Sequence, residues 1–387
     1  MIVTRYQQIA LGRTSSGTLQ LVGIGADGAA YTVAQLVGGE WQRYLPGTGR
    51  GGVTGFPEQQ SSSAGVPYTQ IVVAQGGNST FQVVTLGADG TLYNAFQQSS
   101  SGAWTALTSR LSVNPAGAPA SIAVAQGPGS GGSNEVLQIL SLTAAGNFLP
   151  AADQTGKGDW QASTWSPSPA LGPYSQLSAA TSSNSDVQVL GIPHGGASIV
   201  RVASESQSGH GSWTAGGGGG PWPVPGGGTW TSVFAGPGNG GNGQSGLLFV
   251  FGIDSTGAAS LVTTQAGNPS SKTNDGFSGP SGTTRLAAPA GVTFKQLTGA
   301  WAGDGTFQLI GLGTDGSPYV VSSYGTNGAW AAGSIFYHGS TTFSQLVSAT
   351  DAKGNIHVFG ISSGSGTPTL IGIYGQSLGV RWSWLTS

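Results

Sequence analysis

The residues with the clearest chemical potential are six tryptophans that recur at comparable places along the chain: Trp41, Trp104, Trp160, Trp213, Trp330 and Trp382. An indole offers a large apolar face and one N–H donor, which suits the C–H patches and hydroxyl edges of a sugar ring. Aromatic residues that repeat in this way also pack between neighbouring sheets. The six tryptophans are therefore predicted sugar-binding residues, with packing between sheets as the alternative that the sequence leaves open.

Groups suited to acid–base, nucleophilic or metal chemistry are sparse. The 14 aspartates and glutamates are too scattered over 387 residues for the paired carboxylates of glycoside hydrolysis. The histidines have neither a metal-binding spacing nor a nearby serine elbow, and the chain has no cysteine. His357 takes a place held by glutamine in other repeats, which favours a packing role. The sequence predicts a protein that is not an enzyme and needs no metal or cofactor.

The tryptophans belong to a sequence unit that occurs seven times. Its clearest copies are residues 19–28, 81–90 and 307–316, in which an apolar-Gln-aliphatic run leads to Gly-x-Asp-Gly, and weaker copies begin at Leu137, Val187, Leu248 and Ile356. An aromatic-x-Gln-aliphatic run precedes most copies, a short apolar run follows, and a tryptophan usually ends the unit. Asp-Gly between two such runs favours a tight hairpin. Each unit therefore predicts four short strands.

The repeat predicts an all-β fold, a seven-bladed β-propeller of four-stranded antiparallel blades. One domain is expected to span residues 1–387, with approximate blades at 1–60, 61–115, 116–170, 171–226, 227–290, 291–339 and 340–387. Closure of the ring is expected to depend mainly on packing of the first blade against the seventh.

The motifs make the unit similar to tectonin-type repeats and to the bacterial seven-bladed lectins of the Photorhabdus lectin type, along the whole chain. The resemblance implies a multivalent, non-catalytic lectin that binds fucose or related neutral sugars in shallow sites between adjacent blades. The fifth unit departs from the pattern because Phe277 stands where others carry tryptophan. A pocket bordered by that residue is expected to be weak, whereas Trp41, Trp104 and Trp330 are expected to support the best-formed pockets.

The charge and hydropathy of the chain limit the classes of partner that we expect. The net charge is −2 and the 12 basic residues are scattered, which disfavours nucleic acid and anionic membranes as partners. No apolar run reaches transmembrane length, and no secretory signal precedes the first strand, so we expect a soluble protein, cytoplasmic or released by a non-Sec route. The alternative to a glycan partner is a protein-interaction scaffold associated with a toxin or secretion assembly. The sugar and the oligomeric state remain open.

Two further expectations concern local structure. The mid-strand glutamines Gln20, Gln82, Gln138, Gln188 and Gln308 sit between apolar neighbours, where a buried amide needs partners. Their expected partners are nearby backbone groups or the first-strand glutamines Gln8, Gln70, Gln176, Gln296 and Gln345. The Gly- and Pro-rich segment 213–230 is expected to form a flexible loop over one face, or else a tolerated insertion.

Overall fold

The computed structural model describes most of the chain. The described residues are 5–14, 16–37, 40–43, 60–61, 65–76, 80–99, 104–111, 117–127, 136–154, 159–163, 171–181, 186–205, 213–216, 221–236, 248–265, 277, 283–287, 289–325, 329–335, 340–374 and 383–384.

These residues form seven antiparallel sheets, numbered here 1 to 7 in chain order, and each has four strands hydrogen-bonded in sequence order. Sheets 1 and 4 each carry one further short strand on their third strand, β5 and β18 respectively. The strands of sheets 1 to 3 are β1 (Tyr6–Arg13), β2 (Leu19–Gly25), β3 (Ala30–Val37), β4 (Glu40–Arg43), β5 (Gln60–Ser61), β6 (Tyr68–Gln75), β7 (Phe81–Gly87), β8 (Leu92–Gln98), β9 (Trp104–Arg110), β10 (Pro119–Gly127), β11 (Val136–Thr143), β12 (Phe148–Gln154) and β13 (Trp160–Ala162).

Sheets 4 to 7 repeat the same order of strands. Their strands are β14 (Tyr174–Thr181), β15 (Val187–Pro193), β16 (Ser198–Glu205), β17 (Trp213–Ala215), β18 (Trp222–Pro223), β19 (Trp230–Gly236), β20 (Leu248–Asp254), β21 (Ala259–Gln265), β22 (Thr284–Arg285), β23 (Phe294–Trp301), β24 (Phe307–Gly313), β25 (Pro318–Tyr324), β26 (Trp330–Ile335), β27 (Phe343–Thr350), β28 (Ile356–Ser362), β29 (Pro368–Tyr374) and β30 (Ser383–Trp384).

Burial along the strands follows from their place in the sheet. Second strands such as β2, β7, β20 and β24 are buried at every residue, because both faces of a sheet are covered by its neighbours. First strands are buried mainly at the aromatic and aliphatic residues of their motif, as in β6. The described residues include no helix long and apolar enough to cross a membrane.

The first strands are arranged in a closed ring. Each contacts the first strand of the next sheet, and β27 of sheet 7 contacts β1 of sheet 1. At this closing junction Gln345 Oε1 accepts a hydrogen bond from the Ile9 N–H (2.8 Å), and Gln345 Nε2 donates to the Ile9 carbonyl (3.1 Å). The Tyr6 N–H also donates to the Gly366 carbonyl (2.8 Å). The predicted fold class, an all-β propeller of antiparallel four-stranded blades, is confirmed.

The second-strand glutamines were expected to pair with the first-strand glutamines or with nearby backbone groups, but the first-strand glutamines have other partners. Each first-strand amide hydrogen-bonds with the backbone of the next first strand around the ring, so that Gln8 reaches Ile71 and Gln70 reaches Ile122. The second-strand glutamines pair elsewhere, as when Gln20 donates to Gln35 Oε1 (3.1 Å) within sheet 1. A glutamine side chain is long enough to reach the backbone of the neighbouring first strand. Sequence periodicity alone does not reveal this contact, because that strand belongs to another sheet.

The hairpins between second and third strands have the predicted chemistry. Gly28 has φ +77° and packs against Pro67, so a side chain there would be both strained and obstructed. Asp27 accepts a hydrogen bond from the Ala29 N–H at 3.1 Å. The Gly28 carbonyl accepts from the Tyr68 N–H (2.8 Å), which links this hairpin to sheet 2, and the carbonyls of Gly146, Gly196, Gly257 and Gly316 accept equivalent bonds.

The segment 213–230 is not a loop over one face. In its described part, β17 and β18 both pair with β16, and Trp230 begins β19 of the next sheet. The two described parts of this segment, β17 and β18, therefore both belong to sheet 4. Residues 217–220 lie outside the described residues.

Candidate functional site

The five predicted sugar-binding tryptophans that the structure describes occupy one equivalent position. Each lies on the fourth strand, opposite a residue near the end of the third strand; the pairs are Leu36 with Trp41, Gln98 with Trp104, Gln154 with Trp160, Glu205 with Trp213 and Tyr324 with Trp330. In sheet 5, Phe277 takes this place opposite Gln265. Trp382 lies outside the described residues. The sequence pattern therefore identified a real structural position.

The aromatic residue at this position packs against the preceding sheet in the ring. Trp41 contacts Phe359 of sheet 7 (ring centroids 4.6 Å apart), and Trp213 contacts Phe148 of sheet 3 (6.1 Å). Trp330 contacts Phe249 of sheet 5 at 5.2 Å. Trp104 and Trp160 pack on apolar clusters that combine residues of their own and the preceding sheet. Each tryptophan thus belongs to a junction between two sheets.

Exposure separates the tryptophans into two groups. Trp41, Trp104, Trp160 and Trp330 are half-buried, which leaves part of each indole in contact with solvent. Trp213 is 8% exposed and is part of the hydrophobic core between sheets 3 and 4. A ligand can reach the first four rings, whereas Trp213 offers little surface beyond its packing contacts.

A cavity of about 400 Å³ opens beside Trp330 at the junction of sheets 5 and 6. Leu261, Leu286 and Ala287 of sheet 5 form one side, and Trp330 with Ala331 and Ala332 of sheet 6 form the other. Thr284, Arg285 and Ser322 add polar groups. A mainly apolar recess with a few polar groups is the usual form of a small-ligand site.

The polar edge of this cavity has a fixed geometry. Arg285 Nη2 donates to Asp254 Oδ2 at 3.1 Å, and the two side chains are 57% and 4% exposed. Burial works to raise the pKa of Asp254, but hydrogen bonds from Thr256, Ala258 and Arg285 outweigh it and lower the pKa. The carboxylate therefore stays ionised and orients the guanidinium at the mouth of the cavity.

At the junction of sheets 7 and 1, the tryptophan contacts polar groups. Trp41 Nε1–H donates to His357 Nδ1 (3.0 Å), and His357 Nε2 hydrogen-bonds with Asp351 Oδ2 (3.0 Å). Burial works to raise the pKa of Asp351, but hydrogen bonds from His357 and Asn355 outweigh it and hold the pKa at about 2. His357 is thus a packing residue, as expected, and also a polar link between two sheets.

The absence of a tryptophan in the fifth unit affects the junction of sheets 4 and 5. There Phe277 meets Trp222 of the inserted strand β18 (ring centroids 5.4 Å apart), and the Arg201 guanidinium carbon lies 6.0 Å from the Phe277 ring centre. The other junction of sheet 5 contains the cavity beside Trp330. Sequence reasoning expected a pocket supported by Trp330 but not its opposite wall, because that wall combines Leu261 with residues 284–287, which follow a long insertion.

A cluster of metal-binding side chains is absent from the part of the chain that the structure describes. No three His, Cys, Asp or Glu side chains there lie close enough to hold a metal ion. What the junctions offer instead is aromatic surface beside hydrogen-bonding groups.

Comparisons with known proteins find similarity in structure only. No protein-family model matches the chain, and no curated protein matches it significantly. AofleA from Arthrobotrys oligospora is 12% identical, with 82% of this chain and 85% of that chain covered and a TM-score of 0.50. The fucose-specific lectin of Aleuria aurantia (15% identity, 98% and 96% covered, TM-score 0.49) is also similar. So is an inactive variant of virginiamycin B lyase from Staphylococcus aureus (13%, 92% and 93%, 0.48). At these identities the similarity shows the propeller fold.

Proposed function

We propose that the chain is a non-catalytic lectin whose seven sheets are the seven blades of one ring, with sugar sites at the junctions between blades. The observation that carries this proposal is the cavity beside Trp330, where a half-buried indole faces an apolar wall. Its size suits a monosaccharide unit, and Arg285, Thr284 and Ser322 supply hydrogen-bonding groups for hydroxyls.

The likeness of the repeats to Photorhabdus-type lectins with tectonin-like units supports fucose or a related neutral sugar. A site with an apolar wall favours a sugar that carries a methyl group, because the methyl loses contact with water on binding. Arg285, whose side chain is 57% exposed at the mouth of the cavity, offers N–H donors to the hydroxyls of a neutral diol.

The equivalent positions extend the proposal to a multivalent surface. Trp41, Trp104 and Trp160 are half-buried at their own junctions and are proposed as further sugar-binding residues, as is Trp382. Trp213 is included with a mainly structural role because of its burial. Single sites are expected to bind at about millimolar to micromolar Kd, and several sites on one glycan surface raise the overall affinity.

An NMR titration with fucose, galactose and N-acetylglucosamine tests the proposal. We expect fucose to shift the Trp330 indole N–H signal at about millimolar concentration. The matched variant is Trp330→Phe, which copies the residue of sheet 5 at position 277 and keeps an aromatic ring in the packing. It should weaken binding at this junction about fivefold or more, with little loss of melting temperature.

Two outcomes would overturn the lectin proposal. One is the absence of any sugar-dependent shift in the indole signals across the panel. The other is unchanged sugar binding in Trp330→Phe and Trp330→Ala accompanied by a large loss of stability, which would assign the ring to packing. Retention of a protein partner without sugar binding would favour the alternative, a protein-interaction scaffold.

A further inference from the structure

One position distinguishes the closing junction from the other six. One equivalent position near the start of each second strand holds Gln20, Gln82, Gln138, Gln188, Phe249, Gln308 or His357. Among these seven side chains, only that of His357 can take up a proton and become a cation. It is 2% exposed and lies between sheet 7, which carries it, and Trp41 of sheet 1.

The hydrogen bonds of His357 fix its neutral tautomer. An indole N–H can only donate, so Nδ1 of His357 must carry the lone pair that accepts from Trp41. Asp351 is an ionised acceptor, since its pKa is held at about 2, so Nε2 carries the proton. The backbone N–H groups of Lys353 and Asn355 and the Asn355 side chain also donate to Asp351, which fixes the carboxylate in place.

Protonation of His357 is incompatible with this arrangement. The added proton can only go to Nδ1, where it would face the indole N–H across 3.0 Å, donor against donor. The charged imidazole keeps its hydrogen bond to Asp351, so the bond that breaks is the one to Trp41.

We propose that the junction between sheets 7 and 1 is a pH-sensitive contact, in which protonation of His357 in mildly acidic solution releases the Trp41 indole from sheet 7. The device goes beyond the proposed function, because it acts whether or not a sugar binds. It places a reversible weak point at the junction between the first and seventh sheets, which are not consecutive in the chain.

The charged and titratable groups around His357 are few. Asp351 and Lys353 lie in the turn before β28, and Lys353 is exposed. Glu40 and Arg43 are the charged residues of β4, and Arg13 is the charged residue of β1, which packs against β28. Among the strands that pair with β28, β27 carries none, and β29 carries only the phenol of Tyr374. Asp351 is the group that makes direct contact with the imidazole.

The test follows the indole N–H signals of protein labelled with ¹⁵N-tryptophan from pH 8 to pH 5, with Trp41 assigned by Trp41→Phe. We expect the Trp41 signal to move with the imidazole titration. We also expect its exchange with water, corrected for the intrinsic pH dependence of exchange, to speed up about tenfold, as for the loss of one hydrogen bond.

The matched control is His357→Gln, which copies the residue of five equivalent positions. A glutamine can accept from Trp41 and donate to Asp351 at any pH, so its Trp41 signal should not change over this range. The wild-type titration alone is decisive: a Trp41 signal with unchanged position and exchange between pH 8 and pH 5 would overturn the proposal. The same change in wild type and His357→Gln would overturn it too.

Discussion

The junction of sheets 5 and 6 and the junction of sheets 7 and 1 use the same backbone geometry with opposite chemistry. At the first, Phe249 contacts Phe251, Trp301, Phe307, Tyr324 and Trp330, so the centre of the junction is aromatic. At the second, the equivalent residue His357 makes hydrogen bonds to Trp41 and Asp351.

The two junctions show that one repeated fold can form a cavity at one junction and polar links between sheets at another. Aromatic packing at sheets 5 and 6 is independent of pH and leaves a cavity beside Trp330. The hydrogen bond between sheets 7 and 1 depends on the protonation state of His357. It holds the half-buried Trp41 against the buried imidazole. One position in the repeat therefore decides whether a junction is built from apolar contacts or from polar links.

The largest expected effect comes from removing the centre of the aromatic junction. Phe249→Ala deletes a fully buried ring that contacts five others and should lower the free energy of unfolding by about 3–5 kcal/mol. Phe359→Ala at the closing junction removes a buried ring whose described aromatic neighbour is Trp41, and it should cost less. Urea unfolding of both variants checks the ranking, and equal losses would contradict the contrast between the junctions.

The next effect concerns the polar links that close the ring. Gln345→Ala removes two hydrogen bonds to the Ile9 backbone and leaves a donor and an acceptor to find other partners, at a cost of about 1–3 kcal/mol. Gln70→Ala is the matched control, since Gln70 makes the same two bonds to Ile122.

The two glutamine variants should differ because of chain connectivity. Sheets 2 and 3 remain joined by the chain after their glutamine is lost, whereas sheets 7 and 1 are held by non-covalent contacts. We expect Gln345→Ala to lower the melting temperature more than Gln70→Ala. A larger loss in Gln70→Ala would show that the closing junction is held mainly by packing.

The features that the sequence predicted are local ones. Strand alternation, the Asp-Gly turn at Gly28 and the place of the tryptophans on fourth strands all depend on residues close together in the chain, so a repeated pattern reveals them. The fold class followed from counting the repeats. The sugar-binding role of the tryptophans stays a prediction.

The features that the sequence did not reveal depend on distant residues. Trp41 and His357 are 316 positions apart, and nothing in either motif indicates that they are hydrogen-bonded. Each tryptophan packs on the preceding sheet because of the direction in which the sheets follow one another around the ring, and the motifs do not indicate this direction. The cavity beside Trp330 depends on where an insertion in sheet 5 rejoins its sheet at Thr284.

The smallest expected effect appears only in acid and compares one aspartate from each junction. The pKa of Asp351 is lowered from 3.8 to about 2, so the folded protein holds this proton more weakly than the unfolded chain. Its contribution to stability is therefore complete above about pH 4 and is lost as the pH falls towards 2. Asp254 also has a lowered pKa, but its partner Arg285 is 57% exposed and the pair is more open to solvent screening. Asp351→Asn should therefore flatten the fall in melting temperature between pH 4 and pH 2 more than Asp254→Asn does. If the two variants flatten it equally, the buried link at the closing junction contributes no more to acid sensitivity than an ion pair at the edge of a cavity.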